Sequence, residues 1–175
     1  MKPPSSSSSA LFLPRVTVAA VIARDFGDGE RRYLLVEEEK PEGLRLNNPA
    51  GHLDAGESPL EGAVREALEE TACVFTPEAL LGVYLSRAQQ PATGEDVTFL
   101  RLAFAGTAGE PEPGRALDTG IVRTVWLTLD EVRASVARHR SPLVLVCIED
   151  HARGRRFPLD LVTTHASVLA PPGGP

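Results

Sequence analysis

Apolar and polar positions divide the chain into strand-like and helix-like segments. Residues 16–23 form an apolar run rich in β-branched side chains, which is typical of a buried strand. Aspartate and glycine residues at 25–29 indicate a turn, and a second apolar run follows at 33–36. These two runs predict a β-hairpin. Loop and a short strand are expected over 44–53, and further strands at about 82–88, 97–105 and 121–127.

Helices are predicted where an N-cap residue is followed by a proline or by a glutamate three positions later. Three segments have this pattern: Ser58-Pro59 with Glu61, Thr128 with Glu131, and Ser141-Pro142. The helices are expected to end near residues 72, 137 and 151. A hairpin, a helix, several strands and two helices predict an α/β (α+β) fold with α/β/α layering, and not a regular parallel βαβ fold.

Residues 51–73 carry six carboxylates against a single basic residue, Arg65. With about 100° of rotation per residue, Glu66, Glu69 and Glu70 fall within an arc of about 100°, away from the apolar face. We expect this side of the helix to be exposed to solvent. The pattern fits either a solvated acidic face or a site for a hard divalent cation such as Mg²⁺, and helical spacing alone does not separate the two.

The residues around these carboxylates have a defined spacing. Gly51 is followed after five residues by Glu57, and after seven more by Arg65-Glu66 and then Glu69-Glu70. This spacing resembles the Nudix box, and the resemblance implies a Nudix-type α/β/α sandwich around a mixed sheet. It also implies hydrolysis of a nucleoside diphosphate linked to a variable group. One position departs from the pattern, because Ala72 replaces the closing glycine; we expect a small effect on the turn geometry.

The resemblance implies roles for the box residues. Glu66 and Glu70 would be ligands of Mg²⁺ or Mn²⁺, with Glu69 as the third carboxylate of the metal cluster. Glu57 and Arg65 would form a supporting ion pair, with Arg65 orienting Glu66. The catalytic candidates are Arg65, Glu66 and Glu69, and either Glu69 or Glu66 would accept a proton from the attacking water.

A catalytic base outside the box is left open by the sequence. The strand that ends at Trp126 has Val122 four residues earlier, where many Nudix proteins have a carboxylate. Asp118 is the nearest carboxylate upstream, and Glu95 and Asp96 are further candidates.

Four residues are candidates for substrate binding. Gly51 would allow the backbone to approach the phosphates closely. His52, beside it, would contact phosphate or support the backbone. Arg87 and Arg101 lie on predicted strands, where a lone arginine normally faces solvent, and one of them could neutralise substrate charge.

Short motifs outside the box resemble one branch of the family, the broad-specificity phosphatases. They lie at residues 16–19, 49–53, 140–144, 154 and 157–159. This resemblance implies action on nucleoside tri- and diphosphates and on hydroxymethylpyrimidine pyrophosphate. The alternatives are a dinucleoside-polyphosphate or ADP-sugar pyrophosphohydrolase, and a non-catalytic Nudix domain that senses or binds a ligand.

Composition limits the remaining possibilities. The 175 residues predict one domain at 14–169, between a flexible tail at 1–13 and a second tail at 170–175. A net charge of -6 argues against nucleic acid as a partner and leaves a small phosphorylated substrate. Two cysteines without motif spacing fit a cytoplasmic protein, and no apolar run predicts membrane contact. A monomer or a homodimer is expected.

Overall fold

A computed structural model describes residues 12–89 and 93–170. The described residues form seven strands, four α-helices and two short 3₁₀ turns. In chain order they are β1 (Arg15–Asp25), β2 (Arg31–Lys40), β3 (Gly43–Asn47), β4 (Ala50–His52), α1 (Pro59–Thr71), β5 (Phe75–Gln89), β6 (Asp96–Ala108), β7 (Ile121–Thr128), α2 (Leu129–Ala134), a 3₁₀ turn (Val136–Arg138), α3 (Leu143–Ala152), a 3₁₀ turn (Leu159–Leu161) and α4 (Ala166–Leu169).

Strand β1 organises a mixed sheet of order β3-β2-β1-β6-β5. It pairs in parallel with β6 from Arg15 to Ile22, whereas its pairings with β2 and β4 are antiparallel. Since β6 occupies one edge of β1, the other two strands share the opposite edge. Strand β4 takes residues 17–19 and β2 takes residues 23–25. The sheet therefore has a gap between β4 and β2, and the site described below lies at β4, beside this gap.

Helices cover both faces of the sheet. Alternate residues of β1 point to opposite faces, as the pleat of a strand requires. Val18 and Ala20 pack in a core with Ala63 and Ala67 of α1. On the other face, Val21 packs with residues of α2 and α3. The expected α/β/α layering around a mixed sheet is thus confirmed.

The predicted helix starts are largely confirmed. Ser58 and Thr128 both form reciprocal capping boxes, with Glu61 and Glu131 respectively. Helix α3 starts at Leu143 after Pro142, without a side-chain cap bond. Helix α2 ends at Ala134, earlier than predicted, and a 3₁₀ turn takes over the remainder.

Strand β5 begins at Phe75, well before the predicted start at residue 82. The pairing register with β6 shifts between Pro77 and Ala79. An irregularity of this kind accommodates a proline within an edge strand, and the proline hid this half of the strand from the sequence pattern.

Two expectations fall mainly outside the described residues. The tail predicted at 1–13 is described only at residues 12 and 13, and the tail at 170–175 only at residue 170. In the portion of the chain that the structure describes, no helix is both long and apolar enough to cross a membrane.

Ala72 ends α1 in the left-handed conformation, with φ 58° and ψ 13°, and its N–H donates to Leu68 O at 3.0 Å. The turn of the box is therefore kept without its glycine. The left-handed conformation costs an L-residue about 1–2 kcal/mol. Glycine avoids this cost, but it loses more conformational entropy on folding, which offsets part of the gain.

We predict that Ala72→Gly stabilises the protein by about 0.5–1 kcal/mol, which raises the melting temperature by a few degrees at most. Ala67→Gly, in the interior of the same helix, is the control and should be destabilising. Thermal unfolding followed by circular dichroism measures both. A lower melting temperature for Ala72→Gly would show that the left-handed turn is not strained.

Candidate active site

The carboxylates of α1 lie against the short strand β4. The N–H of Ala50 donates to Glu70 Oε2 at 2.9 Å. A β-carbon added to Gly51 would lie 2.2 Å from Glu66 Oε1, closer than any side chain tolerates. Gly51 therefore leaves the space that the Glu66 carboxylate fills. The box glycine and the box glutamate are thus complementary parts of one contact.

The expectation that this side of α1 faces solvent is wrong for Glu66 and Glu70, whereas Glu69 is half-exposed. Glu66 retains 9% of its exposure and Glu70 retains 8%. Helical spacing shows which residues share a face, but it does not show that β4 covers that face.

Burial of this kind disfavours the ionised carboxylate. Burial raises the pKa of Glu70 to about 8, the Ala50 N–H opposes the rise, and the charges of Glu38, Glu66 and Asp118 add to it. Burial also raises the pKa of Glu66, against the opposing effect of Arg65. Burial therefore disfavours the ionised form of both carboxylates.

Arg65 connects the parts of the site. Its Nε and Nη2 donate to the two oxygens of Glu57 at 3.0 and 2.8 Å, which is the ion pair expected from the sequence. Its Nη1 donates to Glu66 at 2.8 Å and to Glu69 at 3.0 Å. Nη2 also reaches the carbonyl of His52 at 3.1 Å. One guanidinium therefore fixes α1, the loop before it and the end of β4 relative to one another.

The site fits a divalent cation through two carboxylates. Within the described ranges, no three His, Cys, Asp or Glu side chains are already gathered into a metal site. Glu69 is half-exposed and shares Arg65 Nη1 with Glu66. Glu66 and Glu70 remain as a buried pair of carboxylates that repel each other when both are ionised. A pair of carboxylates completed by substrate phosphate oxygens is the usual arrangement for Mg²⁺, and this donor set matches it.

The other predicted residues are separated by the structure. The side chain of His52 is exposed, and its ring lies 6.4 Å from that of Phe99. Arg87 is exposed and pairs with Asp96 at 3.1 Å. Arg101, by contrast, is only 8% exposed, so the expected solvent-facing position is wrong for it. The reason is its place on β6 between β1 and β5, opposite Thr17 and Tyr84.

Two carboxylates near the box gain importance from the structure. Glu38 is 5% exposed, accepts from Asn47 Nδ2 at 2.7 Å and pairs with Lys40 at 2.7 Å. The sequence showed it only as part of an acidic strand end. The N–H of Asp118 donates to Glu69 O at 2.9 Å, which brings the loop before β7 to the end of α1.

Of the alternative outside bases, Glu95 lies directly before β6 and Asp96 is the first residue of β6, where it pairs with Arg87. Asp118 is the candidate whose charge acts on the buried pair, because it contributes to the raised pKa of Glu70.

Comparisons with known proteins show the family to which the chain belongs. Residues 13–146 match the NUDIX domain family. The phosphatase NudJ of Escherichia coli strain K12 is 33% identical over 152 residues, which cover 87% of this chain and 92% of NudJ. A NUDIX hydrolase from Nitrosomonas europaea is 47% identical in sequence, with a TM-score of 0.77 over 87% of this chain and 98% of that one.

A more distant structure extends the likeness of the fold alone. The NUDIX domain of Shewanella oneidensis NrtR, solved in complex with ADP ribose, is 18% identical. It has a TM-score of 0.63 over 86% of this chain and 94% of that domain.

We predict that Gly51→Ala displaces the Glu66 carboxylate and lowers kcat/KM by about 10²-fold, the loss that a misplacement of about 1 Å can cause. Gly109→Ala is the matched control, because a β-carbon there meets open space. Steady-state kinetics with Mg²⁺ would show a selective loss for Gly51→Ala. Equal activity of the two variants would contradict the assigned contact.

A second prediction follows from the raised pKa of Glu70. A carboxylate whose folded pKa is about 8 stabilises the fold below its unfolded value near 4.5, and this contribution is lost as the pH rises through 8. In chelator, wild type should therefore lose stability relative to Glu70→Gln between about pH 5 and 8. Urea unfolding at several pH values measures the difference in unfolding free energy. A difference that does not vary with pH would contradict the burial of an ionisable Glu70.

Proposed function

Because the chain belongs to the Nudix family and is a hydrolase related to NudJ, we propose that it is a metal-dependent phosphatase of small pyrophosphate compounds. The observation that carries this proposal is the buried pair Glu66 and Glu70, held against β4 by the Ala50 N–H and by the space at Gly51. Such a pair is costly for a sensor domain to retain without a cation.

Glu66 and Glu70 would hold the divalent cation, Mg²⁺ or Mn²⁺, with Glu69 as the nearest further carboxylate of the box. When bound, the cation neutralises phosphate charge and polarises a water towards phosphorus. The residues do the rest of the positioning. Arg65 keeps Glu66 and Glu69 side by side through a single Nη1 group.

Glu69 would accept the proton of the attacking water. Its carboxylate is half-exposed, whereas Glu66 and Glu70 are buried, so it can return the proton to solvent after each turnover. Asp118, whose backbone is bonded to that of Glu69, is the outside carboxylate available for the same task. Glu57 holds Arg65 by a bidentate bond and so supports the bonds of Arg65 to Glu66 and Glu69.

Substrate contacts are assigned to the residues around β4. Gly51 and His52 would face the phosphates from the strand, and Arg101 would neutralise substrate charge from the sheet. Arg87 is a weaker candidate for that role, since it is exposed and already paired with Asp96. The substrates would be nucleoside tri- and diphosphates and hydroxymethylpyrimidine pyrophosphate. These compounds share the phosphoanhydride that the metal-binding carboxylates would recognise through the cation.

We predict that activity requires a divalent cation and that Glu70→Gln lowers kcat by at least about 10²-fold without loss of thermal stability. The stability should be kept because the substitution removes a buried ionisable group and retains its shape. Glu61→Gln, the same change at the exposed capping box of α1, is the control. Full turnover in excess chelator, or equal activity of the two variants, would contradict the metal assignment.

We also predict that the base of a nucleotide substrate changes kcat/KM by about tenfold or less, near 1.4 kcal/mol. The reason is that the box residues contact only the phosphates. The measurement compares four nucleoside triphosphates, a nucleoside diphosphate and hydroxymethylpyrimidine pyrophosphate at one Mg²⁺ concentration. A preference above about a thousandfold for one base, or activity confined to dinucleotides and nucleotide sugars, would contradict this substrate range.

A further inference from the structure

Arg101 carries a buried positive charge for which residues 12–89 and 93–170 provide no ion pair. Its Nε and Nη1 atoms are shielded from solvent and have no hydrogen-bond partner, and the residue is only 8% exposed. Within the described part of the chain, no carboxylate forms an ion pair with it. Buried guanidinium groups are normally paired, and this one has a place for a partner that the described residues do not fill.

The nearby carboxylates are already engaged. Glu38 and Glu70 both lie close enough for their charges to act on Arg101. However, Glu38 is bonded to Asn47 and Lys40, and Glu70 accepts from the Ala50 N–H. The charges of Glu38 and Glu70 therefore act on Arg101 without an ion pair between either of them and its guanidinium.

Thr17 adds a second unpartnered group at the same place. It is the neighbour of Arg101 in the parallel register between β1 and β6, so both side chains lie on one face of the sheet. That face is opposite to the one that α1 covers, because Val18 and Leu102, the next residues of the two strands, pack with α1. The Oγ1 of Thr17 is buried and has no partner. Together the two residues offer hydrogen-bond donors and one positive charge, which is the chemistry that binds a phosphate.

A buried water could satisfy hydrogen bonds of this cluster, but it would leave the charge of Arg101 unbalanced. A neutral base or sugar would do the same. A phosphoryl group supplies both acceptor oxygens and the compensating charge.

We propose that Arg101 and Thr17 form a phosphate subsite that holds the phosphoryl group of the substrate not bound at Glu66 and Glu70. This inference rests on the proposed function, since it assigns the second phosphate of the same substrate. It makes Arg101 a residue that selects diphosphate compounds, and it explains why the chain retains an unpaired charge inside its sheet.

The test is the affinity of methylenediphosphonate, a diphosphate analogue that cannot be hydrolysed at its bridge, measured by calorimetry with Mg²⁺ present. Arg101→Met should weaken its binding by at least about tenfold, the loss expected for charge-assisted hydrogen bonds. Thr17→Val, which keeps the shape of the side chain, should weaken it by a smaller factor. Arg153→Met is the control and should bind as wild type does, because Arg153 is exposed and paired with Glu149 at the end of α3.

Stability gives an independent readout. Without the analogue, Arg101→Met should melt at or above the temperature of wild type, because the variant removes an unpaired buried charge. With the analogue, wild type should gain more thermal stability than the variant does. Arg101→Lys keeps the charge and should retain part of the affinity, which covers the case in which Arg101→Met does not fold.

The outcomes separate this inference from the proposed function. Equal affinity of wild type and both Arg101 variants would overturn the subsite, even if Mg²⁺-dependent hydrolysis is intact. Arg101-dependent binding of the analogue that persists in chelator would support the subsite, even if the metal assignment at Glu66 and Glu70 fails.

Discussion

The desolvation of two carboxylates against a three-residue strand is the constraint on which the rest of the site depends. Glu66 and Glu70 come from α1 and reach β4 because Gly51 has no side chain and Ala50 offers its N–H. Burial there disfavours the ionised form of both carboxylates, and a positive partner favours it. Arg65 supplies one for Glu66, and a divalent cation is the partner that suits both. The spacing of the box is thus the spacing needed to seat one helix face on one short strand.

The split in the sheet places this pair between opposite charges. Strand β1 is shared by β4 and β2, and the gap between them brings Glu38 from β2 near Glu70. Arg101 approaches from β6, on the other edge of β1. In the site that we propose, acidic groups hold a cation and a buried guanidinium holds an anion. A pyrophosphate with its metal ion carries both charges, so a single ligand can balance the two halves.

The sequence was sufficient for the fold class, the capping of α1 and α2, and the identity of the box. Ser58 with Glu61, and Thr128 with Glu131, form the boxes that their spacing predicts, because capping depends on residues close in the chain. The burial of Glu70 and Arg101 could not be predicted in this way. Each is covered by elements distant in sequence, and an exposed and a buried charge have the same local pattern. Glu38 was missed for the same reason, since its role depends on Asn47 and Lys40 and on the position of α1.

The most direct test of the central claim is the position of the metal ion. Crystals grown with Mn²⁺ and methylenediphosphonate would show the ion by its anomalous scattering. We expect the peak to mark an ion that is coordinated by Glu66, by Glu70 and by an oxygen of the analogue. A peak bonded only to exposed carboxylates such as Glu69 or Asp118, with Glu70 still bonded to Ala50 alone, would contradict this expectation.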